Sequence, residues 1–267
     1  MKDEIVILGS GGGRHHIRTQ YRATGGFLYK FNGIQAHIDP GPGAIVRINQ
    51  FKEDPTETKL FIVTHVHLDH FNDIGAIIES SREQLHDKNH HYYKIGTLIT
   101  APDVLPLISE YHKNMIDNIV PFKPRQKYLH NGIQIVGTKI KHADVQGFGV
   151  IFNLAEYSLG YTSDSTVFRG FAEQFNGVDI LILNLLRPDS VTCPRHLCTD
   201  QVIPYLNRIH PSLKGLIITH FGTYMDGPFS KKNNVPTQVR KLKEKTEIPH
   251  IIAAYDGLKI SLQDLLD

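Results

Sequence analysis

Tryptophan is absent from the 267-residue sequence, and its only cysteines are Cys193 and Cys198. Two cysteines are too few for the disulfide framework of a small secreted protein, so we interpret them as reduced thiols. No apolar run approaches the roughly 18 residues of a membrane span, and the acidic start of the chain is unlike a signal peptide. We therefore expect a soluble, cytoplasmic protein that makes no use of a membrane.

A large excess of charge of one sign is also lacking, because the formal net charge is only +2. Bulk electrostatics therefore cannot hold this protein to nucleic acid, and any nucleic-acid substrate must be bound through local contacts. Hydrophobic residues make up 40% of the chain and charged residues 21%, which suffices for a large core. No linker-like or low-complexity segment divides the sequence, and we predict one domain over residues 1–267.

Short apolar runs rich in β-branched residues alternate with helical patterns along the chain. The helical patterns predict helices over residues 72–82, 102–112, 167–175, 201–209 and 237–245, and Pro102 suits a first helical position. The apolar runs predict strands over residues 5–8, 27–31, 34–38, 60–63, 97–100, 133–138, 148–154, 158–161, 179–183, 216–219, 251–254 and 258–262. Asp256-Gly257, between the last two strands, indicates a hairpin turn. Mixed elements in this order favour two sheets packed face to face with helices outside.

Four predicted strands are followed by histidine or aspartate, namely His65, His142, Asp164 and His220. Ligands of α/β sheets bind outside the carboxyl ends of strands, so these four residues are candidates for a shared site. The first of them begins the run His65-Val66-His67-Leu68-Asp69-His70. Residue frequencies predict only about 0.004 random matches to this spacing, so the run indicates a function.

The run has the composition of a metal site. His65 and His67 are two residues apart on a chain still extended from its strand, so their rings can converge on one ion. Asp69 and His70 follow as the chain turns into a helix and can reach a second ion. Imidazole and carboxylate ligands suit zinc best, with manganese and iron as alternatives.

From this run outward, the sequence resembles the metallo-β-lactamase superfamily over most of its length. Ile38-Asp39-Pro40-Gly41 is similar to the first family motif and the 65–70 run to the second, while His142, Asp164 and His220 match the third, fourth and fifth. The resemblance implies a four-layer αβ/βα sandwich of two mixed β-sheets with helices outside. It also implies that Asp39 supports the site without binding metal.

The resemblance further implies two divalent metal ions and assigns protein ligands to each ion. The first ion takes His65, His67 and His142, the second takes Asp69, His70 and His220, and Asp164 bridges both. Two cations about 3.5–4 Å apart lower the pKa of a bridging water from 15.7 towards 7, so a metal-bridging hydroxide is the expected nucleophile. We expect Asp69 to orient that hydroxide while it binds its ion.

A leaving oxygen also needs a proton, and His196 in Arg195-His196-Leu197-Cys198-Thr199 is the candidate donor. Phosphodiesterases of the superfamily, including the tRNA 3′-processing endonucleases, carry a histidine followed by small polar residues in this region. Leu-Cys-Thr replaces the usual Ser-Thr here, so a histidine that caps a helix or fills the core is the alternative. Asp39 likewise has an alternative interpretation as a turn residue.

The stretch Leu8-Gly9-Ser10-Gly11-Gly12-Gly13-Arg14 resembles the glycine loop of the branch that contains tRNA 3′-processing enzymes and cyclic-nucleotide or cyclic-phosphate phosphodiesterases. Glycines allow backbone N–H groups to approach a phosphate, which makes Ser10, Gly11 and Arg14 candidate substrate contacts. Arg18 and Arg22 follow Arg14 at four-residue intervals, although a tight turn and solvated arginines are the alternatives. Tyr224 is a candidate for stacking on a base or for covering the core.

These features predict a phosphodiesterase for a small phosphodiester or nucleotide, with RNA as a further substrate class and a homodimer implied by the resemblance. The long arm with which tRNA-processing relatives hold tRNA is not evident in the sequence, which favours a small substrate. Two alternatives remain: a carbonyl hydrolase that acts on a thioester, lactone or β-lactam, and a non-catalytic nucleic-acid binder of the same fold.

Overall fold

The computed structural model describes residues 3–82, 93–209, 211–227, 230 and 232–267. Over these residues the strands form two seven-stranded mixed sheets. The first sheet has the order β14-β1-β2-β3-β4-β5-β6. Its strands are β1 (Glu4–Ile7), β2 (Phe27–Phe31), β3 (Ile34–Ile38), β4 (Thr58–Val63), β5 (Ile95–Thr100), β6 (Ile116–Pro121) and β14 (Lys259–Ser261).

The second sheet has the order β13-β12-β11-β10-β9-β8-β7. Its strands are β7 (Lys127–His130), β8 (Ile133–Lys139), β9 (Phe148–Asn153), β10 (Ser158–Tyr161), β11 (Ile180–Asn184), β12 (Gly215–Thr219) and β13 (His250–Ala253). The described helices are α1 (Arg14–Thr19), α2 (Ala44–Gln50), α3 (Leu68–Phe71), α4 (Ile74–Ser80), α5 (Glu110–Lys113), α6 (Thr199–Ile209), α7 (Val235–Lys245) and α8 (Gln263–Leu266). The predicted αβ/βα sandwich is confirmed.

Two apolar cores hold these layers together. In β11, side chains alternate between faces, so Ile180 and Ile182 enter the core between the sheets. Leu181 and Leu183 point the other way, into the core that the second sheet shares with α6 and α7. This double burial explains why the strand reads as a continuous apolar run rather than as an alternating one.

The aromatic rings of β2 and β9 join the two sheets. Tyr29 packs edge-on against Phe152 with ring centroids 5.2 Å apart, and its hydroxyl lies 2.7 Å from that of Tyr157 in a buried hydrogen bond. Such contacts fix the spacing between the sheets. Among the described residues, no helix combines the length and the apolar character needed to cross a membrane.

The predicted hairpin at Asp256-Gly257 is wrong. β13 pairs with β12 in the second sheet, whereas β14 pairs with β1 in the first, so the turn crosses between sheets. The Asp256 carboxylate accepts hydrogen bonds from the backbone N–H groups of Ser10 and Ala23, both at 2.8 Å. These long-range bonds hold the crossing in place, and the local sequence contains no sign of them.

The predicted helix over residues 102–112 is also wrong, because Pro106 prevents a continuous α-helix there. The segment forms a short 3-10 helix, Leu105–Leu107, and then α5. Proline lacks the N–H that a continuous helix requires, and Ser109 begins α5 by accepting the N–H of His112 at 3.2 Å. The helices predicted over 201–209 and 237–245 are present as α6 and α7, each beginning two residues earlier.

His37 on β3 makes the fold sensitive to acid. Its side chain is fully buried, and burial lowers its pKa from 6.5 to about 4. Because the unfolded chain binds the proton more readily, the stability that His37 contributes is complete above pH 6.5 and is lost as pH falls towards 4. We expect His37 to account for about 2 kcal/mol of the stability lost between pH 7 and pH 5.

Urea unfolding of chelator-treated wild type and His37→Gln at both pH values tests this expectation. Glutamine can still donate to the Gly25 carbonyl that Nε2 of His37 contacts at 2.9 Å, but it cannot titrate. The variant should therefore lose less stability than wild type on acidification. Equal losses in the two proteins would contradict the assignment.

Candidate metal centre

The predicted ligands lie where strands from both sheets end. β4 ends two residues before His65, and β12 ends directly before His220. β8 and β10 each end three residues before their candidates, His142 and Asp164. His220 and Ser163, the neighbour of Asp164, have positive φ angles of 60° and 53°. Positive φ angles are rare outside glycine because they cost energy. Here they bend the chain sharply at the strand ends and direct the side chains inward.

The structure brings together all seven residues that were predicted as metal ligands. They form two groups, and the donor atoms within each group lie within 4.8 Å of one another. The first group consists of His65, His67, His142 and Asp164, and the second of Asp69, His70 and His220. Within the second group, Nε2 of His70 lies 3.1 Å from Nε2 of His220, which lies 3.3 Å from Oδ2 of Asp69.

Asp164 lies between the two groups. Its Oδ2 is 3.7 Å from Nε2 of His142 in the first group and 3.6 Å from Nε2 of His70 in the second. Its Oδ1 is 3.3 Å from Nε2 of His220. One buried carboxylate therefore faces both sets of donors, which is the geometry that a bridging ligand requires.

The donor atoms fit a divalent cation. Nδ1 of His142 lies 2.8 Å from the Arg195 carbonyl. A carbonyl oxygen only accepts hydrogen bonds, so this nitrogen carries the proton, and Nε2 of a neutral His142 presents a lone pair to the site. Nε2 of His65 is buried without a hydrogen-bond partner among the described residues. An unpaired buried nitrogen is costly, and a cation within reach of these donors removes that cost.

The charges of the site also call for a cation. Burial, together with the nearby His70, holds the pKa of His65 well below its ordinary value, so His65 is a neutral donor. Burial acts in the same direction on His70, but the carboxylates of Asp164, Asp39 and Asp69 outweigh it and raise the pKa of His70 well above 6.5. The buried carboxylates thus attract a positive charge, which a metal ion can supply.

Asp39 accepts four hydrogen bonds beside the second group. The donors are the backbone N–H of Thr64 at 2.7 Å, its hydroxyl at 2.8 Å, Nδ1 of His70 at 2.8 Å and the Tyr161 hydroxyl at 2.9 Å. The bond to Nδ1 orients the His70 ring so that Nε2 faces the other donors. A hydrogen bond of this kind is the usual way in which a neighbouring carboxylate orients a metal-binding histidine.

Asn184 is a site residue that the sequence interpretation missed. It ends β11, it is buried, and its Nδ2 donates to Oδ1 of Asp164 at 2.8 Å and to the Tyr161 hydroxyl at 3.1 Å. Because Tyr161 in turn donates to Asp39, one chain of hydrogen bonds supports both groups. The available signal was a polar residue at the end of an apolar run, the same signal that identified His220.

His196 lies at the open side of the site. Its Nδ1 is 3.5 Å from Oδ2 of Asp164, and its side chain is 17% exposed whereas that of Asp164 is 2% exposed. The ring packs against His142 with centroids 4.6 Å apart. Burial, only partly offset by Asp164, lowers the pKa of His196 to about 4, so the ring is neutral at pH 7 in the metal-free protein.

The glycine loop contacts the metal-ligand candidates directly. The Gly13 N–H donates to Oδ2 of Asp69 at 2.6 Å, and the Gly12 N–H donates to the Phe221 carbonyl at 3.1 Å. A Cβ on Gly12 would lie 2.2–2.3 Å from three ring atoms of His220. At these positions, the loop supports Asp69 and His220 rather than forming an open phosphate cradle.

Of the other predicted substrate contacts, some are buried and bonded within the protein and others are exposed. Ser10 is buried, and its hydroxyl bonds to Asp256 and Arg22 at 2.7 Å each, so it supports the loop. Gly11 is buried as well, and its N–H donates to the Ala23 carbonyl at 2.9 Å. Arg22 forms a 2.7 Å ion pair with Asp226. Two arginines, Arg14 and Arg18, are exposed on α1, and Tyr224 is 49% exposed and packs against Arg187.

The arrangement is that of a metal-dependent hydrolase built on the αβ/βα sandwich, and comparison with known proteins identifies its family. A model of the β-lactamase superfamily domain matches residues 36–221. An uncharacterized protein of Methanocaldococcus jannaschii is 32% identical over 265 residues, which are 98% of this chain and 96% of that protein. The chain belongs to the metallo-β-lactamase superfamily, as the sequence resemblance predicted.

Further comparisons concern more distant proteins. A ribonuclease Z from Thermococcus gammatolerans is 23% identical over 166 residues, 58% of this chain and 52% of that protein. The crystal structure of the metallo-β-lactamase fold protein YhfI from Bacillus subtilis superimposes with a TM-score of 0.75 at 16% identity, covering 97% of this chain and 99% of that chain. A diphosphatase of the PhnP family has a TM-score of 0.69 at 17% identity and 97% coverage of both chains. These two structural likenesses show the shared fold.

Proposed function

We propose that the protein is a dinuclear-metal phosphodiesterase that cleaves a nucleotide-type phosphodiester, such as a cyclic nucleotide, a cyclic phosphate or an RNA 3′ end. The observation that carries the proposal is the pair of neighbouring donor groups, both of which the Asp164 carboxylate faces. Their histidine-rich composition favours zinc, with manganese and iron as alternatives. The names of a relative, ribonuclease Z, and of a structural neighbour, a diphosphatase, favour phosphate chemistry over carbonyl chemistry.

The proposed reaction assigns separate roles to the metal-ligand candidates, to Asp69 and to His196. The two groups would hold metal ions, whose Lewis acidity would serve to activate water and to offset charge on the phosphoryl group. Asp69 is held by the Gly13 N–H through Oδ2, which leaves Oδ1 to orient the attacking water. His196, which borders both the site and solvent, transfers a proton to the leaving oxygen. As a neutral ring it must first accept a proton, and the attacking water is a source of one.

Hydrolysis of bis(p-nitrophenyl) phosphate by protein loaded with zinc, manganese or cobalt tests the proposal. We expect turnover that a chelator abolishes. For a cyclic nucleotide, whose leaving alkoxide needs a proton, His196→Ala should lower turnover by about 100-fold, the usual size of a general-acid effect, without loss of bound metal. His112→Ala is the matched control, because His112 lies on α5 and bonds to Ser109 and Glu79. This control should keep wild-type turnover.

The same preparation distinguishes the competing functions. Turnover of a thioester or lactone without any turnover of phosphodiesters would identify a carbonyl hydrolase instead. RNA binding by metal-free protein that hydrolyses neither class would identify a nucleic-acid binder. Either result would overturn the phosphodiesterase proposal.

A further inference from the structure

Arg187 lies between two segments that carry site residues. Its backbone N–H donates to the Leu197 carbonyl at 3.2 Å, directly after His196 in the chain. The preceding residue, Leu186, accepts the N–H of Gly222 at 3.1 Å, two residues after His220. These two bonds tie the backbone at Leu186 and Arg187 to the segments that carry His196 and His220, the histidines that lie 3.5 Å and 3.3 Å from the Asp164 carboxylate.

The guanidinium of Arg187 has no anionic partner within the described part of the chain. It lies over the Tyr224 ring, 4.4 Å from the centroid, and its Nε is buried without a hydrogen-bond partner among the described residues. By contrast, the guanidinium of Arg22 is paired with Asp226 and that of Arg208 with Glu173. A guanidinium offers five N–H donors in a planar fork, and burying even one of them, here Nε–H, without a partner is costly.

We propose that Arg187, positioned by Tyr224, binds a phosphate group of a nucleotide substrate. The planar fork matches two phosphate oxygens, whereas a neutral ester presents no anion for it. The Tyr224 ring holds Arg187 on one face and is 49% exposed, so its free face can stack on a nucleobase. This inference rests on the proposed function for the identity of the anion, and it adds the residues that select a nucleotide.

Calorimetric titration of 5′-AMP into the metal-loaded protein measures this contact without turnover. We expect Arg187→Gln to weaken binding by about tenfold to a hundredfold, the range for losing a hydrogen bond to a charged group. Arg187→Lys should recover part of the affinity, since it restores the charge without the fork. Tyr224→Leu should weaken binding, whereas Tyr224→Phe should bind nearly as wild type does, because the ring remains.

Arg208→Gln is the matched control. Arg208 also lies over a tyrosine, Tyr205, at 5.8 Å, but it sits near the end of α6 and is paired with Glu173. This variant should bind AMP as tightly as wild type. Equal affinities for wild type and Arg187→Gln, or no AMP binding by wild type, would overturn the inference. Failure of wild type to hydrolyse phosphodiesters overturns the proposed function alone, since the AMP affinities still decide the role of Arg187.

Discussion

Replacing Asp164 with alanine should remove most of the bound metal and lower phosphodiester turnover by about a thousandfold. The reason is that this carboxylate faces both donor groups, with Oδ2 near His142 and His70 and Oδ1 near His220. Without it, the first group keeps only imidazole donors, and Asp69 is the one carboxylate left among the predicted ligands of the second. Metal content by mass spectrometry after dialysis is the direct measurement.

Metal binding should also stabilise the folded protein against unfolding. A ligand that binds only the folded state raises its stability by about 4 kcal/mol when present at a thousand times its dissociation constant. We therefore expect added zinc to raise the melting temperature of the metal-free wild type strongly and that of Asp164→Ala only slightly. Equal increases in the two proteins, with two ions retained by the variant, would rule out a bridging role for Asp164.

Asp179 provides the matched control for this experiment. It lies at the other end of β11 from Asn184, and its Oδ2 accepts the backbone N–H of Ser158 at 2.9 Å and the Ser158 hydroxyl at 3.0 Å. Asp179→Ala removes a partly buried carboxylate from the same sheet without touching either donor group. It should destabilise the fold while keeping the metal content of wild type.

The sequence predicts the sandwich and the candidate ligands because both depend on local patterns. An apolar run that stops at a histidine or aspartate marks the carboxyl end of a buried strand, and such ends meet at one site in α/β folds. His65 and His220 follow β4 and β12 in this way, although they lie on different sheets. The resemblance to a family then supplies the distant pairing that spacing alone cannot give.

The contacts that stabilise the site depend on long-range geometry, and the sequence does not predict them. Asp256-Gly257 has the same local pattern whether its flanking strands pair or belong to different sheets. The glycine loop resembles a phosphate cradle, yet Gly13 donates to Asp69, whose position depends on the folding of another segment. Arg22 resembles a solvated arginine in the sequence, but Asp226, its partner, lies more than 200 residues away.

Gly12→Ala is the second change for which we expect a large effect. The new Cβ would lie 2.2 Å from Cε1 of His220 and 2.3 Å from both ring nitrogens, distances at which the ring must move. His220 comes from a bent segment with a φ of 60°, and the Gly12 N–H bonds to the carbonyl of the next residue, Phe221. A displacement of about 1 Å at a reacting centre can cost about 100-fold in rate, so we expect at least that loss.

Gly33→Ala separates this effect from a general penalty on glycine replacement. Gly33 has a φ of +75°, so alanine is strained there by about 1–2 kcal/mol, but nothing lies within 4 Å of the new Cβ. Gly33→Ala should lower stability and leave metal content and turnover unchanged, whereas Gly12→Ala should lower metal affinity as well as turnover.

A double-mutant cycle then shows whether Gly12 acts through His220. Suppose that Gly12→Ala acts only by displacing the His220 ring. In a His220→Ala background, where that ring is absent, adding Gly12→Ala should then lower the metal affinity little further. Additive losses in the double variant would mean that Gly12 acts by another route, for example through the loop that supports Asp69. The cycle therefore tests whether this glycine is required because a metal-ligand candidate occupies the space where a side chain would lie.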